Sequence, residues 1–285
     1  MSSRLKSYYF LALILSCWVP ALQLFGTTTI PFTLVNGLII TEASVDQKIG
    51  KFIVDTGADG LILNSEMDGG SEESTYSTLQ GEIVARPTLI KEFAFGNIQI
   101  ANVQAYAMNL ESIESYTSYT INGIIGLQLL AKGVYEIDME HHLIKIYTQD
   151  DALPDHSDFY PYRIIQGVPV VSIEFDGIDY DFILDSGASK SVIDAAIVER
   201  HPHHFIKLNG EVDLVTASQT SIKASRVMPQ NLKIGDKLIQ DQSFLVTNFA
   251  NFQSQTNSTI SGLLSIATLT SGKVIIDAIH QRISL

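Results

Sequence analysis

Phe52-Ile-Val-Asp-Thr-Gly-Ala58 recurs, 130 residues later, as Phe182-Ile-Leu-Asp-Ser-Gly-Ala188. Five of the seven positions are identical, and the other two exchange one aliphatic for another and one small hydroxyl for another. In each copy an apolar run that reads as a buried strand ends on an aspartate. A carboxylate delivered into an apolar interior is costly unless it finds partners. The glycine that follows permits a tight turn and a close backbone approach, and the Thr or Ser between them offers a hydroxyl where two copies can meet. One Asp-Ser-Gly is an ordinary turn. Two copies in the same context predict a pseudo-two-fold axis that brings Asp55 and Asp185 face to face.

The repetition extends outward from these segments. Asn122-Gly-Ile-Ile-Gly-Leu127 matches Ser261-Gly-Leu-Leu-Ser-Ile266, and Gly133-Val-Tyr-Glu-Ile-Asp138 matches Gly272-Lys-Val-Ile-Ile-Asp277. His142-Leu-Ile-Lys-Ile-Tyr147 parallels Gln281-Arg-Ile-Ser-Leu285. The order is the same in both halves, and the offset grows from 130 to 139, so the chain is a duplicated unit with about nine extra residues in its second copy. Short alternating or β-branched runs predict strands over Thr29–Leu34, Leu38–Ala43, Gly50–Val54, Ile98–Tyr106, Leu143–Tyr147, Val168–Phe175, Asp179–Leu184 and Gln242–Thr247. Helical patterns are confined to Gln128–Lys132, Asp194–Arg200 and Ser265–Leu269. The expected fold is therefore all-β: two similar β-barrel-like lobes over 27–150 and 162–285, few short helices, and the active site between the lobes. Residues 151–161, rich in aspartate and proline, form the expected linker.

The 285-residue chain is 46% apolar and 17% charged, ample for a buried core and too apolar for disorder. A formal charge of −13 opposes nucleic-acid binding, which needs a basic face. The single cysteine excludes an internal disulfide framework and a cysteine-rich metal site. Residues 1–26 carry Arg4 and Lys6 ahead of the short apolar run Phe10–Leu15, which reads as a secretory signal or, alternatively, an N-terminal membrane anchor. Cys17, in Ile14-Leu15-Ser16-Cys17, resembles the lipidation site of bacterial lipoproteins. Each of these readings exports the remaining chain, to a bacterial periplasm or outer surface, with a lipid tether at Cys17 as one form.

These motifs resemble the active-site loops of the pepsin and retropepsin clan of aspartic proteases, in a single-chain, bilobal form. Hydrophobic-hydrophobic-Asp-[Thr/Ser]-Gly-Ala matches the clan's catalytic loop, and Gly123-Ile-Ile-Gly126 resembles the element that completes it. Alanine after the glycine and lobes of this size resemble the retropepsin-like branch. The resemblance implies an endopeptidase acting on peptide or protein substrates through a water activated by Asp55 and Asp185. It also implies supporting roles for Thr56, Gly57, Ala58, Ser186, Gly187 and Ala188, no metal or organic cofactor, and a complete site in one monomer. The two aspartates would share a proton, because two close carboxylates cannot both ionise; aspartic proteases are the standing example of that rule. Pepsin-like enzymes carry a hydroxyl after Asp-Thr-Gly where this chain has Ala58 and Ala188, which predicts activity from mildly acidic to near-neutral pH.

Two positions depart from the pattern. Ser265 stands where a glycine is expected, and neither half has a glycine-rich flap; Thr75–Glu82, with Tyr76, and Val215–Ser221 occupy the flap positions. These departures leave room for an alternative function, a catalytically silent duplicated β module that binds peptides or an envelope partner. His201-Pro-His-His204 reads as a solvated helix end, His141 and His142 as a hairpin turn, Asp59 and Asp138 as surface or turn residues, and Asp138 with its repeat Asp277 as structural.

Overall fold

The computed structural model describes residues 6–8, 26–58, 60–65, 74–78, 81–126, 129, 133–147, 158–175, 177–215, 221–240, 242–256, 258–269 and 272–285. The two halves build the same barrel. In the first, Leu38–Val45 pairs antiparallel with Lys48–Asp55, which pairs parallel with Gly123–Gly126. That strand runs antiparallel to Leu61–Asn64, and Leu61–Asn64 parallel to Ile98–Met108. Gly81–Phe95 joins Ile98–Met108 back to Leu38–Val45, so the circuit closes and leaves no free edge. The second half repeats it with Val168–Phe175, Ile178–Asp185, Ile260–Ser265, Ser191–Asp194 and Phe244–Thr247. Its long closing strand is broken at Asn231, at φ 55°, into Ser221–Pro229 and Leu232–Ile234.

Burial follows the repeat residue by residue. Lys48–Asp55 and Ile178–Asp185 both start exposed and end with four consecutive buried residues, so each dives from the surface into its barrel. A run buried on both faces needs apolar residues at successive positions, which Phe52-Ile-Val and Phe182-Ile-Leu supply. Phe52 packs edge-on against Phe93 at 6.4 Å, and Phe182 against Phe175 and Phe244 at 5.9 and 5.8 Å.

A six-stranded antiparallel sheet joins the lobes, in the order Thr28–Val35, Leu143–Tyr147, Val134–Asp138, Lys273–Asp277, Arg282–Ser284, Tyr160–Ile165. The pseudo-dyad passes between the two central strands, where Glu136 faces Ile275 and Asp138 faces Lys273. Asp138 is buried rather than on the surface: its carboxylate accepts from the His141 backbone amide at 2.9 Å and closes the turn that carries His141 and His142. Asp277 does the same for His280 at 3.0 Å, so the repeated aspartates are structural, as their spacing suggests.

Helices are few, and two of them, Glu111–Thr117 and Ala250–Thr256, lack a sequence signal strong enough to have been expected. Ala195–Arg200 is present, capped by Asp194, whose carboxylate accepts from the Ala196 amide. The expected helix at 265–269 starts one residue later, because Ser265 ends a strand. The expected helix at 128–132 lies outside the described residues apart from Leu129. So do Asp59, Cys17 and the rest of 9–25. Lys6–Tyr8 runs parallel to Asp213–Val215. No described helix is long and apolar enough to cross a membrane.

At the centre of the joining sheet, Glu136 is buried, and Lys273 reaches it at 2.7 Å, Tyr147 at 2.6 Å and Lys145 at 3.6 Å. Burial opposes its ionisation, but the Lys273 and Tyr147 hydrogen bonds and the two ammonium charges outweigh it and hold the carboxyl below its ordinary value. A depressed carboxylate stabilises the fold above the unfolded pKa, about 4.3, and that contribution is lost as pH falls. Lys273→Met should therefore lower stability by about 1–2 kcal/mol at pH 7. In urea unfolding the difference should shrink towards pH 3; a pH-independent difference would contradict the charge origin.

Candidate active site

Strand Gly123–Gly126 threads between the strand that delivers Asp55 and the strand that leaves the following loop, and Ile260–Ser265 does so for Asp185. Each aspartate thus ends a strand that pairs with the threaded strand, Asp55 opposite Gly126 and Asp185 opposite Ser265. Phe52 lies opposite Gly123 and Phe182 opposite Gly262, in matching registers. Neither glycine has room for a side chain: a Cβ would meet the opposing phenylalanine ring and a backbone carbonyl. The repeat-based pairing of Asp55 with Asp185 and Gly123 with Gly262 holds in three dimensions.

The loops meet through a reciprocal set of four hydrogen bonds. Thr56 N–H donates to Ser186 Oγ at 2.9 Å, and Ser186 N–H donates to Thr56 Oγ1 at 3.0 Å. The hydroxyls then donate across the seam, Thr56 to the Leu184 carbonyl and Ser186 to the Val54 carbonyl, both at 2.7 Å. Inside this frame Gly57 N–H donates to Asp55 Oδ1 at 2.8 Å and Gly187 N–H to Asp185 Oδ1 at 2.7 Å. Each glycine is required by the opposite lobe. A Cβ on Gly57 would lie 2.7 Å from the Asp185 carboxyl carbon, and one on Gly187 would strike the Asp55 carboxyl.

Asp55 and Asp185 are both fully buried. Their Oδ2 atoms have no hydrogen-bond partner among the described residues. Burial pushes Asp55 up to about 6, against the pull of Asp185 and of the Gly57, Ala58 and Gly187 amides. Burial also pushes Asp185 well above the carboxylate range, and the charge of Asp55 pushes it further. The pair therefore holds a proton in the range where ordinary carboxylates are ionised, and one oxygen on each side is left free to engage a shared ligand. Ala58 and Ala188 are buried, and their side chains have no polar atom to offer. No cluster of His, Cys, Asp and Glu suited to a metal occurs among the described residues.

The other candidates separate from this centre. Tyr76 lies in Ser74–Thr78, which pairs antiparallel with the start of Gly81–Phe95; its side chain, and residues 79–80 between the two strands, lie outside the described residues. Val215 pairs with Ser221 in the second half, and residues 216–220 between them lie outside the described residues. The His201 and His204 rings lie 5.5 Å apart, tilted, at the short helical turn Pro202–His204. Three residues that sequence reading did not single out complete the second loop: Ser191, Thr268 and Gln242. Comparing the halves position by position at offsets 130 and 139 would have exposed the first two, where leucines become hydroxyl residues.

Each of Thr56 and Ser186 accepts one bond and donates one across the seam. Thr56→Ala and Ser186→Ala should each cost about 2 kcal/mol, about 1 kcal/mol per hydrogen bond. The double variant should fall short of the sum, since the two hydroxyls close one seam and loss of either loosens the bonds made by the other. Strict additivity in denaturant unfolding would show that the hydroxyls act independently.

An aspartyl protease family model matches the chain over residues 41–129 and 171–267. The two matched segments hold Asp55–Ala58 with Gly123–Gly126 and Asp185–Ala188 with Ser261–Ser265. No curated protein matches the sequence. Among solved structures, basic 7S globulin from soybean superposes with a TM-score of 0.55 at 11% identity, covering 91% of this chain and 96% of that one. At that identity the likeness concerns the fold, which is the two-lobed aspartic protease architecture. With two matched segments that each contain one half of the carboxyl pair, the chain belongs to the aspartyl protease family.

Proposed function

We propose that the protein is an aspartic endopeptidase whose dyad is Asp55 and Asp185. The observation that carries this reading is the buried, glycine-walled carboxyl pair with one unpartnered oxygen on each side. A water held between those oxygens loses a proton to the ionised carboxylate as it attacks the scissile carbonyl. The protonated partner donates to the carbonyl oxygen, giving a neutral gem-diol. Collapse of that intermediate passes a proton to the amide nitrogen and breaks the C–N bond. The proton count closes within the pair, so the two carboxyls titrate as one unit. Residues 27–150 and 162–285 supply one half-site each, with 151–161 as the connector, so a monomer suffices. Ala58 and Ala188 offer no hydroxyl to the ionised form, which supports a working range from mildly acidic to near-neutral pH.

The positive, then apolar N-terminus supports export, with Cys17 as the tether. Cell fractionation tests this: Cys17→Ala should move the protein from the membrane to the soluble exported fraction. An unchanged distribution would discard the tether.

Asp55→Asn and Asp185→Asn should each reduce cleavage of a quenched peptide library on the order of a thousandfold or more, and pepstatin should inhibit the parent. The same variants should be at least as stable as the parent at pH 7. A carboxyl whose folded pKa is raised loses stability as pH rises from about 4 towards the folded value, and asparagine removes that loss. The gap should close near pH 4. Appreciable turnover by either variant would overturn the dyad.

A further inference from the structure

The two active-site loops differ at three places that change together. Leu61, Gly126 and Leu129 of the first half correspond to Ser191, Ser265 and Thr268 of the second. In the first loop Gly126 has to be glycine, because a Cβ would fall 2.5 Å from the Ala58 carbonyl oxygen and 2.6 Å from that of Gly60. The Gly126 amide donates to the Gly60 carbonyl at 2.7 Å, which Gly60 presents from a left-handed φ of 76°. Leu61 and Leu129 beside it are buried and apolar.

The second loop has Lys190 in place of Gly60, and its φ stays outside the left-handed region, where side chains are disfavoured. A hydroxyl takes over: Ser265 N–H donates to Ser191 Oγ at 3.0 Å. Ser191 Oγ lies 3.0 Å from Thr268 Oγ1, and Thr268 Oγ1 donates to the Ser265 carbonyl at 3.2 Å. A hydroxyl has one proton, so the Thr268 bond fixes Ser191 as the donor to Thr268 and closes a ring around the Ser265 backbone. The Ser265 hydroxyl is left to donate to the Ala188 carbonyl at 2.6 Å. Ser265, Ser191 and Ala188 are fully buried.

We propose that this hydroxyl ring positions Asp185, with Ser265 anchoring Ala188 so that the loop amides face that carboxyl, and that it makes the two aspartates inequivalent. The proposal rests on the peptidase reading for its kinetic consequence, but not for its structural one. Asp55 is the titratable group that faces Asp185, and the remaining polar groups there are the Gly187 and Ala188 amides. Without the Ser265 hydroxyl the Ala188 carbonyl is buried and unpaired, the loop relaxes, and ionised Asp185 loses donors. The ionised form is then disfavoured, so the titration moves to higher pH.

The test compares the parent with Ser265→Ala and Ser265→Gly, the latter restoring the residue found at Gly126. Two readouts are taken: the pH–rate profile with a quenched peptide, and the carbon-13 titration of the aspartate carboxyls. Both variants should lose about five- to tenfold in kcat with KM changed less than about twofold. The alkaline limb and the Asp185 resonance should both shift to higher pH. The titration reads the positioning whether or not the parent cleaves a peptide, so failure of the peptidase reading and failure of this proposal are separate outcomes. Ser265 variants whose carboxyl titration superimposes on that of the parent would overturn it.

Discussion

The molecule depends on one constraint: two carboxyls are buried at a seam that neither half can complete alone. The amide of Thr56 finds its acceptor on Ser186, and that of Ser186 on Thr56. Each glycine beside an aspartate is walled by the aspartate of the other half. Separating the lobes would strand two hydroxyls, two amides and two carbonyls in an apolar setting, each a cost on the order of 1–3 kcal/mol. These reciprocal bonds join the seam, and the same satisfaction fixes the orientation of the carboxyls.

Everything outward from the seam serves to make it rigid. Closed barrels remove sheet edges, and the strand threaded through each loop pairs with both the strand that ends on the aspartate and the strand that leaves the loop. The joining sheet sets the distance between the lobes, with the Glu136–Lys273 pair at its centre. Rigidity matters because the site gains its chemistry from burial: a dyad free to open towards water would titrate as two ordinary acids. The second loop reaches the same geometry by other means, hydroxyls for backbone carbonyls, so duplication preserved the shape while the bonds that hold it diverged.

Much of this was legible in the sequence. Phe52–Ala58 and Phe182–Ala188 declare the dyad because burial, turn and hydroxyl are all written in adjacent residues. Strand ends at Leu143–Tyr147 and Val168–Phe175 coincide with the expected ones, since both runs are dense in apolar and β-branched residues. Long-range closure was not legible. Gly81–Phe95 carries Pro87 and mixed polarity, and its strand character comes from pairing with Ile98–Met108. Glu111–Thr117 is too short and too weakly capped to stand out. Asp138 looked superficial because its burial comes from a strand 139 residues away. Ser265 stood out only as a departure from the repeat, because its bonds to Ser191 and Ala188 form only once the loop is folded.

The shared proton is the central claim, and carbon-13 titration of aspartate carboxyls in the intact protein addresses it most directly. The account predicts that Asp55 and Asp185 both stand above the ordinary carboxylate value, about 3.9. Asp55 should titrate near 6, and Asp185 should keep its proton beyond that, with each curve bent by the other. Two independent titrations in the ordinary range for Asp55 and Asp185 would mean that the carboxyls do not share a buried site, and the account would fail at its centre.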